Sequence, residues 1–302
     1  MPELILGTRG SALALAQANS VKNRLEQKHP GLTCALKIIS SKADEQPLKE
    51  LSAFPGEGIF VKELEAALLE RRIDCAVHSL KDVPLAIASG LQLTAILERE
   101  EARDALVSRS GVFFDALPQG AHIGTSSLRR QSQILCRRPD IRVSPVRGNV
   151  DTRLRKLDQG QFDAILLAGC GLKRLELHGR ITEYLDPSWM VPEPGQGALA
   201  IESRRDDTQT NRMVAAIDHA STRGCVMAER AFLEALGGGC HLPIGALAVA
   251  ELSQLRLSGA VVVPDGSRHL RGALAGDAAD AVTLGKALAA QLLKQGAKEL
   301  LQ

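Results

Sequence analysis

Short apolar runs alternate along this chain with stretches in which apolar residues recur every third or fourth position, the pattern of strands alternating with helices. Leu4 to Leu6 is the first run. It enters Gly7-Thr8-Arg9-Gly10-Ser11, after which Ala14, Ala18, Val21 and Leu25 keep helical spacing until Pro30-Gly31. The same arrangement returns at His122-Ile123-Gly124-Thr125-Ser126-Ser127-Leu128, with a helix through Leu135 that ends before Pro139. A second echo pairs Ile73 to Val77 with Phe162 to Leu166, each preceded by a helical pattern (Val61, Leu64, Leu68 and Val150, Leu154, Leu157). The chain therefore reads as a duplicated α/β half, with sheets covered on both faces and ligands at the strand ends.

Two breaks interrupt the pattern. Between Ser40 and Gly58 periodicity fails amid Pro47, Pro55, Gly56 and Gly58, which predicts a lid-like loop; Pro192 to Gly197 is the second break, followed by a strand over Ala198 to Ile201. From about Thr222 a separate small domain is predicted. It has a helix to Leu236, strands near Ala246 to Ala250, Leu255 to Val263 and Leu270, and a closing helix through Leu284, Leu288 and Leu292.

At 302 residues and 45% apolar content the chain can bury the cores of two or three domains. No basic-plus-apolar leader precedes Gly7 and no apolar run is long enough to span a bilayer, so the expectation is a cytoplasmic protein, or an organelle protein without its transit segment. The six cysteines lack a C-x-x-C pair, against a zinc site or disulfide frame, and five of them read as small buried hydrophobes; no metal is expected.

Charge changes the picture. Residues 121–180 carry twelve Lys/Arg against five Asp/Glu, a local +7 in a chain of net +2. That points to a solvated basic face or an anionic partner. Nucleic acid is disfavoured, because aromatic residues make up only 3% of the chain and offer few stacking platforms. Arg129 and Arg130 fall in the first turn of a helix, and Arg147 and Arg153 flank an Asn149 cap, positions where the helix dipole opposes a cation by about 0.3–1 kcal/mol. A bound polycarboxylate would offset that cost.

Three features carry candidate chemistry. Each Gly-Thr turn at a helix start is a seat for an anion. In His78-Ser79-Leu80-Lys81-Asp82-Val83-Pro84, Asp82 ends a strand before a rigid Val-Pro step, as a placed proton donor and acceptor or as a turn cap; His78 reads as a packed strand residue rather than a ligand. Gly237-Gly238-Gly239-Cys240 is either a glycine helix stop or a loop that displays one thiol.

These motifs, in this order, resemble the porphobilinogen deaminase (hydroxymethylbilane synthase) family nearly end to end. They are Gly7 to Ser11, Phe60 to Glu65, Val77 to Pro84, Gly124 to Arg130, Arg147 to Arg153, Gly171 to Leu175, Gly195 to Ala198, and Gly238 to Cys240 with Pro243 to Gly245. The resemblance implies an α/β fold of three domains: two periplasmic-binding-protein-like halves with mixed sheets (1–100 with 197–218, and 101–196) and a smaller α+β C-terminal domain (219–302). It implies a monomeric transferase of tetrapyrrole synthesis. Four porphobilinogen molecules are condensed head to tail, each losing ammonia, on a dipyrromethane primer covalently attached to Cys240, and hydrolysis releases hydroxymethylbilane. Asp82 matches the catalytic carboxylate. Lys81, Thr125, Ser127, Arg129, Arg130 and Arg147 match cofactor-binding residues; Arg9, Ser11, Arg147, Arg153, Arg174 and Gln196 match substrate-binding ones. The pattern departs in the lid, where Glu57 replaces an expected lysine, and His241 follows the cysteine where Gln is common. The rival is a non-catalytic oligopyrrole- or anion-binding protein, disfavoured because anion binding alone needs neither Asp82 nor Cys240.

Overall fold

The computed structural model describes residues 3–40, 61–238 and 242–301. The lid segment from 41 onward, with Glu57, and the Cys240–His241 step lie outside the described residues. The chain divides into two compact units, one of residues 1–99 and 198–223, the other of residues 100–197 and 224–302.

In the first unit, β1 (Glu3–Thr8), α1 (Ala12–Lys28), β2 (Thr33–Ile38), α2 (Lys62–Leu69), β3 (Cys75–Ser79) and β4 (Leu91–Ile96) are joined by β10 (Leu199–Arg204) from the returning chain. The sheet order is β2-β1-β3-β10-β4, with β1 parallel to both neighbours and β10 antiparallel to both of its own. In the second unit the same order is rebuilt from β5 (Asp104–Ser108), β6 (His122–Gly124), α3 (Leu128–Arg137), β7 (Arg142–Ser144), α4 (Val150–Asp158), β8 (Ala164–Ala168), α5 (Gly169–Arg174) and β9 (Glu183–Tyr184). The order there is β7-β6-β8-β5-β9, with β5 as the antiparallel insert. Both sheets are mixed and buried on both faces, in line with the expected fold class.

The duplication holds at the level of single atoms. Ile5 N donates to Asp74 Oδ2 at 2.8 Å while Asp74 N donates to Ile5 O; His122 N donates to Asp163 Oδ2 at 2.8 Å while Asp163 N donates to His122 O. Each Asp closes the entry of a central strand. The apolar residue before it, Ile73 or Phe162, turns under a glycine. A Cβ on Gly7 would meet Ile73 Cδ1 at 2.2 Å, and one on Gly124 would meet Phe162 Cδ1 at 3.0 Å. The strands therefore start two residues later than the apolar pattern predicts, at Cys75 and Ala164, because Ile73 and Phe162 serve as wedges instead of ladder residues.

Residues 224–302 carry a third, antiparallel sheet of β11 (Ile244–Glu251), β12 (Gln254–Val262) and β13 (His269–Asp277). Apolar residues of α6 (Ala220–Ala235) and α7 (Ala281–Lys294) fill its core around Phe232 and Leu288, and α8 (Ala297–Leu300) closes it. Four cysteines are buried as expected. Cys136 is not: it is half-buried, with Sγ 3.3 Å from His269 Nδ1, because it lies late in α3 on the side that meets the 264–269 turn.

Candidate active site

Two arrays form at the C-terminal ends of the parallel strands, one in each unit. In the first unit, Ser11 caps α1 by accepting from Ala14 N at 3.2 Å, which holds the Gly7–Ser11 turn against the helix start. Beyond β3 the chain makes a single 3-10 turn, Leu80–Asp82. Leu80 and Val83 are buried on either side, and Leu80 N donates to Ala198 O at 3.0 Å. Asp82 is exposed between these two anchors, so its backbone is fixed while its carboxyl stays accessible. A cavity of about 80 Å³ is lined by Arg9, Ser11, Gln17, His78, Ser79 and Asp82, over apolar Val61, Leu64 and Val77. Lys81 is half-buried and outside that lining.

The second unit repeats the capping. Ser127 accepts from Arg130 N at the start of α3, its own N–H donates to Thr125 Oγ1, and Asn149 accepts from Thr152 N at the start of α4. Arg129 and Arg130 do not depend on a ligand for their place. Both reach Asp104 at the start of β5: Arg129 Nη1 donates to Oδ2 at 2.8 Å, and Arg130 donates through Nε to Oδ1 at 3.0 Å, with its Nη2 2.8 Å from the same oxygen as an ion pair. Gln196 joins them, donating from Nε2 to Asp104 Oδ1 at 2.9 Å and accepting from Arg130 Nη2 at 3.4 Å. For Arg129 and Arg130, Asp104 supplies part of the offset to the helix dipole from within the fold.

All of these groups are buried, and their formal charges leave one positive charge in excess. Burial alone would raise the Asp104 pKa; the charges of Arg129 and Arg130, with hydrogen bonds from Arg129 and Gln196, outweigh it and hold the carboxyl well below the usual range. Arg129 Nε and Nη2 are buried with no hydrogen-bond partner. Arg153 donates from Nε to Gly148 O at 2.8 Å, and burial, then the charge on Arg130, bring its pKa down to about 10. A cation held with too little counter-charge is an anion receptor. Arg153→Gln is therefore expected to raise the thermal midpoint of the ligand-free protein while raising KM by about tenfold, the loss of one charge-assisted hydrogen bond. A fall in the midpoint with KM unchanged would contradict this.

Arg147 is half-buried in the loop between β7 and α4. Arg174, at the end of α5, is engaged differently: its Nε lies 2.7 Å from Glu100 Oε2 and its Nη2 donates to Gly197 O at 2.8 Å. It clasps the two points where the chain enters and leaves the second unit. Other cations of the basic segment meet local acids, Arg137 with Asp115, Arg138 with Asp140 and Arg180 with Asp158. The +7 already subtracts Asp140 and Asp158, and Asp115, outside the segment, neutralises one further charge of it. Sequence reasoning missed Gln17, Ser79 and Asp104, and it left His78 as a packed strand residue. His78 is packed, on a buried Glu202, but it also lines the Asp82 cavity. Among the described residues no cluster of three or more His, Cys, Asp and Glu is placed to hold a metal ion.

A family model described as "Porphobilinogen deaminase, dipyromethane cofactor binding domain" matches residues 4–212, and one for the porphobilinogen deaminase C-terminal domain matches residues 224–294. The chain belongs to the porphobilinogen deaminase family. Relatives named porphobilinogen deaminase include those of Acidithiobacillus ferrooxidans, strain ATCC 53993, and Roseiflexus sp., strain RS-1. Each is 48% identical, over 99% of this chain and 97% or 98% of its own length. Among solved structures, a TRAP periplasmic solute-binding protein of Desulfovibrio salexigens aligns at 11% identity with a TM-score of 0.43, over 72% of each chain. As a member of this family the protein is a transferase, and its matched N-terminal region is a dipyrromethane cofactor-binding domain. The residues present fit such a polycarboxylate group, because the buried Asp104 cluster is one negative charge short and leaves two Arg129 nitrogens unpaired.

Proposed function

We propose that the protein condenses porphobilinogen units head to tail, with loss of ammonia, on a dipyrromethane held by a thioether at Cys240, and that Asp82 handles the protons of each cycle. When bound, dipyrromethane would supply the free pyrrole carbon to which the first unit is joined, and each later unit would be joined to the ring added before it. The observation that carries the reading is the convergence of Asp82, Arg9 and Ser11 on one cavity at a strand end. There an exposed carboxyl on a fixed backbone can give a proton to the departing amine and take one from the carbon of the new bond. Arg9 and Ser11 are suited to the acetate and propionate of the incoming unit, since a guanidinium binds a carboxylate bidentately at any working pH.

Thr125, Ser127, Arg129, Arg130, Arg147 and Arg153 hold the carboxylates of the primer and the growing chain, with Lys81 beside Asp82 and Gln196 bracing Arg130. Arg174 acts on the same array by clasping its entry and exit. A six-ring bound chain with two carboxylates per ring carries on the order of a dozen negative charges, which calls for many permanent cations at low dielectric. For the thioether, the buried thiols are poor rivals to Cys240: burial pushes Cys34 up to about 11 and raises Cys75 as well, so neither presents a thiolate. The protein works as a cytoplasmic monomer on this reading; no helix of the described residues is long and apolar enough to cross a membrane.

Intact-mass spectrometry with an ammonia-release assay tests this. Purified protein should carry the mass of a dipyrromethane and release one ammonia per porphobilinogen consumed. Cys240→Ala should lack both the added mass and the turnover. A Cys240→Ala protein that keeps the adduct would move the attachment elsewhere, and wild-type protein that binds porphobilinogen without releasing ammonia would favour a binding protein.

A further inference from the structure

Gln133 follows Arg129 by one turn on the same face of α3, and both side chains are buried. Both reach the backbone of Val191. The Gln133 amide and the Val191 peptide pair reciprocally, with Nε2 donating to Val191 O at 3.0 Å and Oε1 accepting from Val191 N at 3.0 Å. Since a backbone N–H only donates and a carbonyl only accepts, the amide has one orientation there. The same Val191 O also accepts from Arg129 Nη1 at 2.8 Å. From the other side, Arg271 on β13 donates to Ser188 O at 3.1 Å and Trp189 O at 2.7 Å, and β11 passes so close that a Cβ on Gly245 would meet Val191 O at 2.6 Å. The Val191 carbonyl is a fixed point.

That fixed point decides which edge of Arg129 the fold uses. Nη1 carries two protons; one goes to Val191 O and the other to Asp104 Oδ2 at 2.8 Å. Nε and Nη2, both buried, meet no acceptor among the described residues. Their N–H groups form the side-on edge of the guanidinium, the one that grips a carboxylate through two parallel bonds. Arg130 is turned the opposite way. Its Nε donates to Asp104 Oδ1 at 3.0 Å, its Nη2 lies 2.8 Å from the same oxygen, and its Nη1 donates to Leu166 O at 3.1 Å. Left to itself, a buried guanidinium would put its side-on edge on Asp104 as Arg130 does, because unpaired buried donors are costly. Val191 O draws Nη1 the other way, and Gln133 keeps that oxygen in place.

We propose that Gln133 is the positioning residue of Arg129: by pinning the Val191 peptide it commits Nη1 to the fold and reserves the Nε–Nη2 edge for a ligand carboxylate. Arg130 then serves the array through its charge and as a brace on Asp104. The inference rests on the deaminase reading above and divides the labour between two adjacent arginines that the sequence does not distinguish. No bond is made or broken by Gln133, which acts only through the Val191 backbone.

The test compares the full chain, labelled with ¹⁵N-arginine, before and after it gains the dipyrromethane mass from porphobilinogen. The Nε–H signal of Arg129, identified by its absence in Arg129→Lys, should move on loading, while that of Arg130, already bonded to Asp104, stays near its starting position. Gln133→Leu removes both contacts to Val191; Gln133→Glu keeps the acceptor for Val191 N but sets an oxygen against Val191 O. Each variant should raise the porphobilinogen concentration that half-loads the protein about tenfold, the scale of one hydrogen bond to a charged group, and should abolish the loading shift at Arg129. If Gln133→Leu does not fold, Gln133→Glu carries the comparison. A role in packing alone would lower the thermal midpoint and leave the half-loading concentration and the Arg129 shift at wild-type values. That result, or a wild-type Arg129 signal that ignores loading, would overturn the proposal. Wild-type protein that gains no such mass from porphobilinogen would instead sink the deaminase reading.

Discussion

Asp82→Asn is expected to lower kcat for ammonia release at least ~10²-fold, the low end for loss of a general acid, with KM changed far less. Asparagine keeps the size of the side chain and one acceptor oxygen, but it can neither give nor take a proton near neutral pH. Because Leu80 and Val83 anchor the turn from both sides and Asp82 itself is exposed, the backbone should not move. The thermal midpoint should therefore match wild type, and the dipyrromethane mass should persist in protein loaded before assay. Near-normal turnover would remove Asp82 from the mechanism, and a collapsed midpoint would make it a structural residue.

Asp104→Ala should cost about 3–5 kcal/mol of unfolding free energy, because it strands two buried guanidinium groups without their counter-ion. Equilibrium denaturation in urea would read this directly. The pH dependence has a definite sign. The folded-state pKa of Asp104 is depressed, so its contribution is complete above the unfolded value of about 3.9 and is lost as pH falls toward the folded one. The difference between wild type and Asp104→Ala should be flat from pH 8 to pH 5 and should narrow by about 1 kcal/mol at pH 3. A difference below about 1 kcal/mol at pH 7 would mean that solvent reaches the arginines and that the cluster is not the buried array described above.

The turns at the helix starts and the Asn149 cap were legible because their causes are local. Ser11, Ser127 and Asn149 each accept a backbone N–H three residues ahead, an interaction written into adjacent letters of the sequence. The duplicated half was legible too, although its strand starts were read two residues early. An apolar letter before Asp74 or Asp163 looks like strand, yet Ile73 and Phe162 are used as wedges under Gly7 and Gly124. Less could be read of the charges. Arg129 and Arg130 stood out for defying the helix dipole, but their partner lies 25 and 26 residues away on another strand. His78 and Glu202 are separated by 124 residues.

What the sequence by itself determined was the order of strands, turns and helices, the two Gly-Thr turns with their caps, and a family motif set that names the chemistry. Periodicity, capping and glycine geometry act over a few residues, so the linear text contains them. Which cation meets which acid was decided only by tertiary structure, since the returning strand β10 and the inserted strand β5 bring Glu202 and Asp104 beside residues with no sequence proximity to them. At low dielectric those meetings outweigh local preference. They turn Arg129 and Arg130 from free anion hooks into a braced, still electron-poor array, and they turn His78 from a core residue into the floor of a cavity.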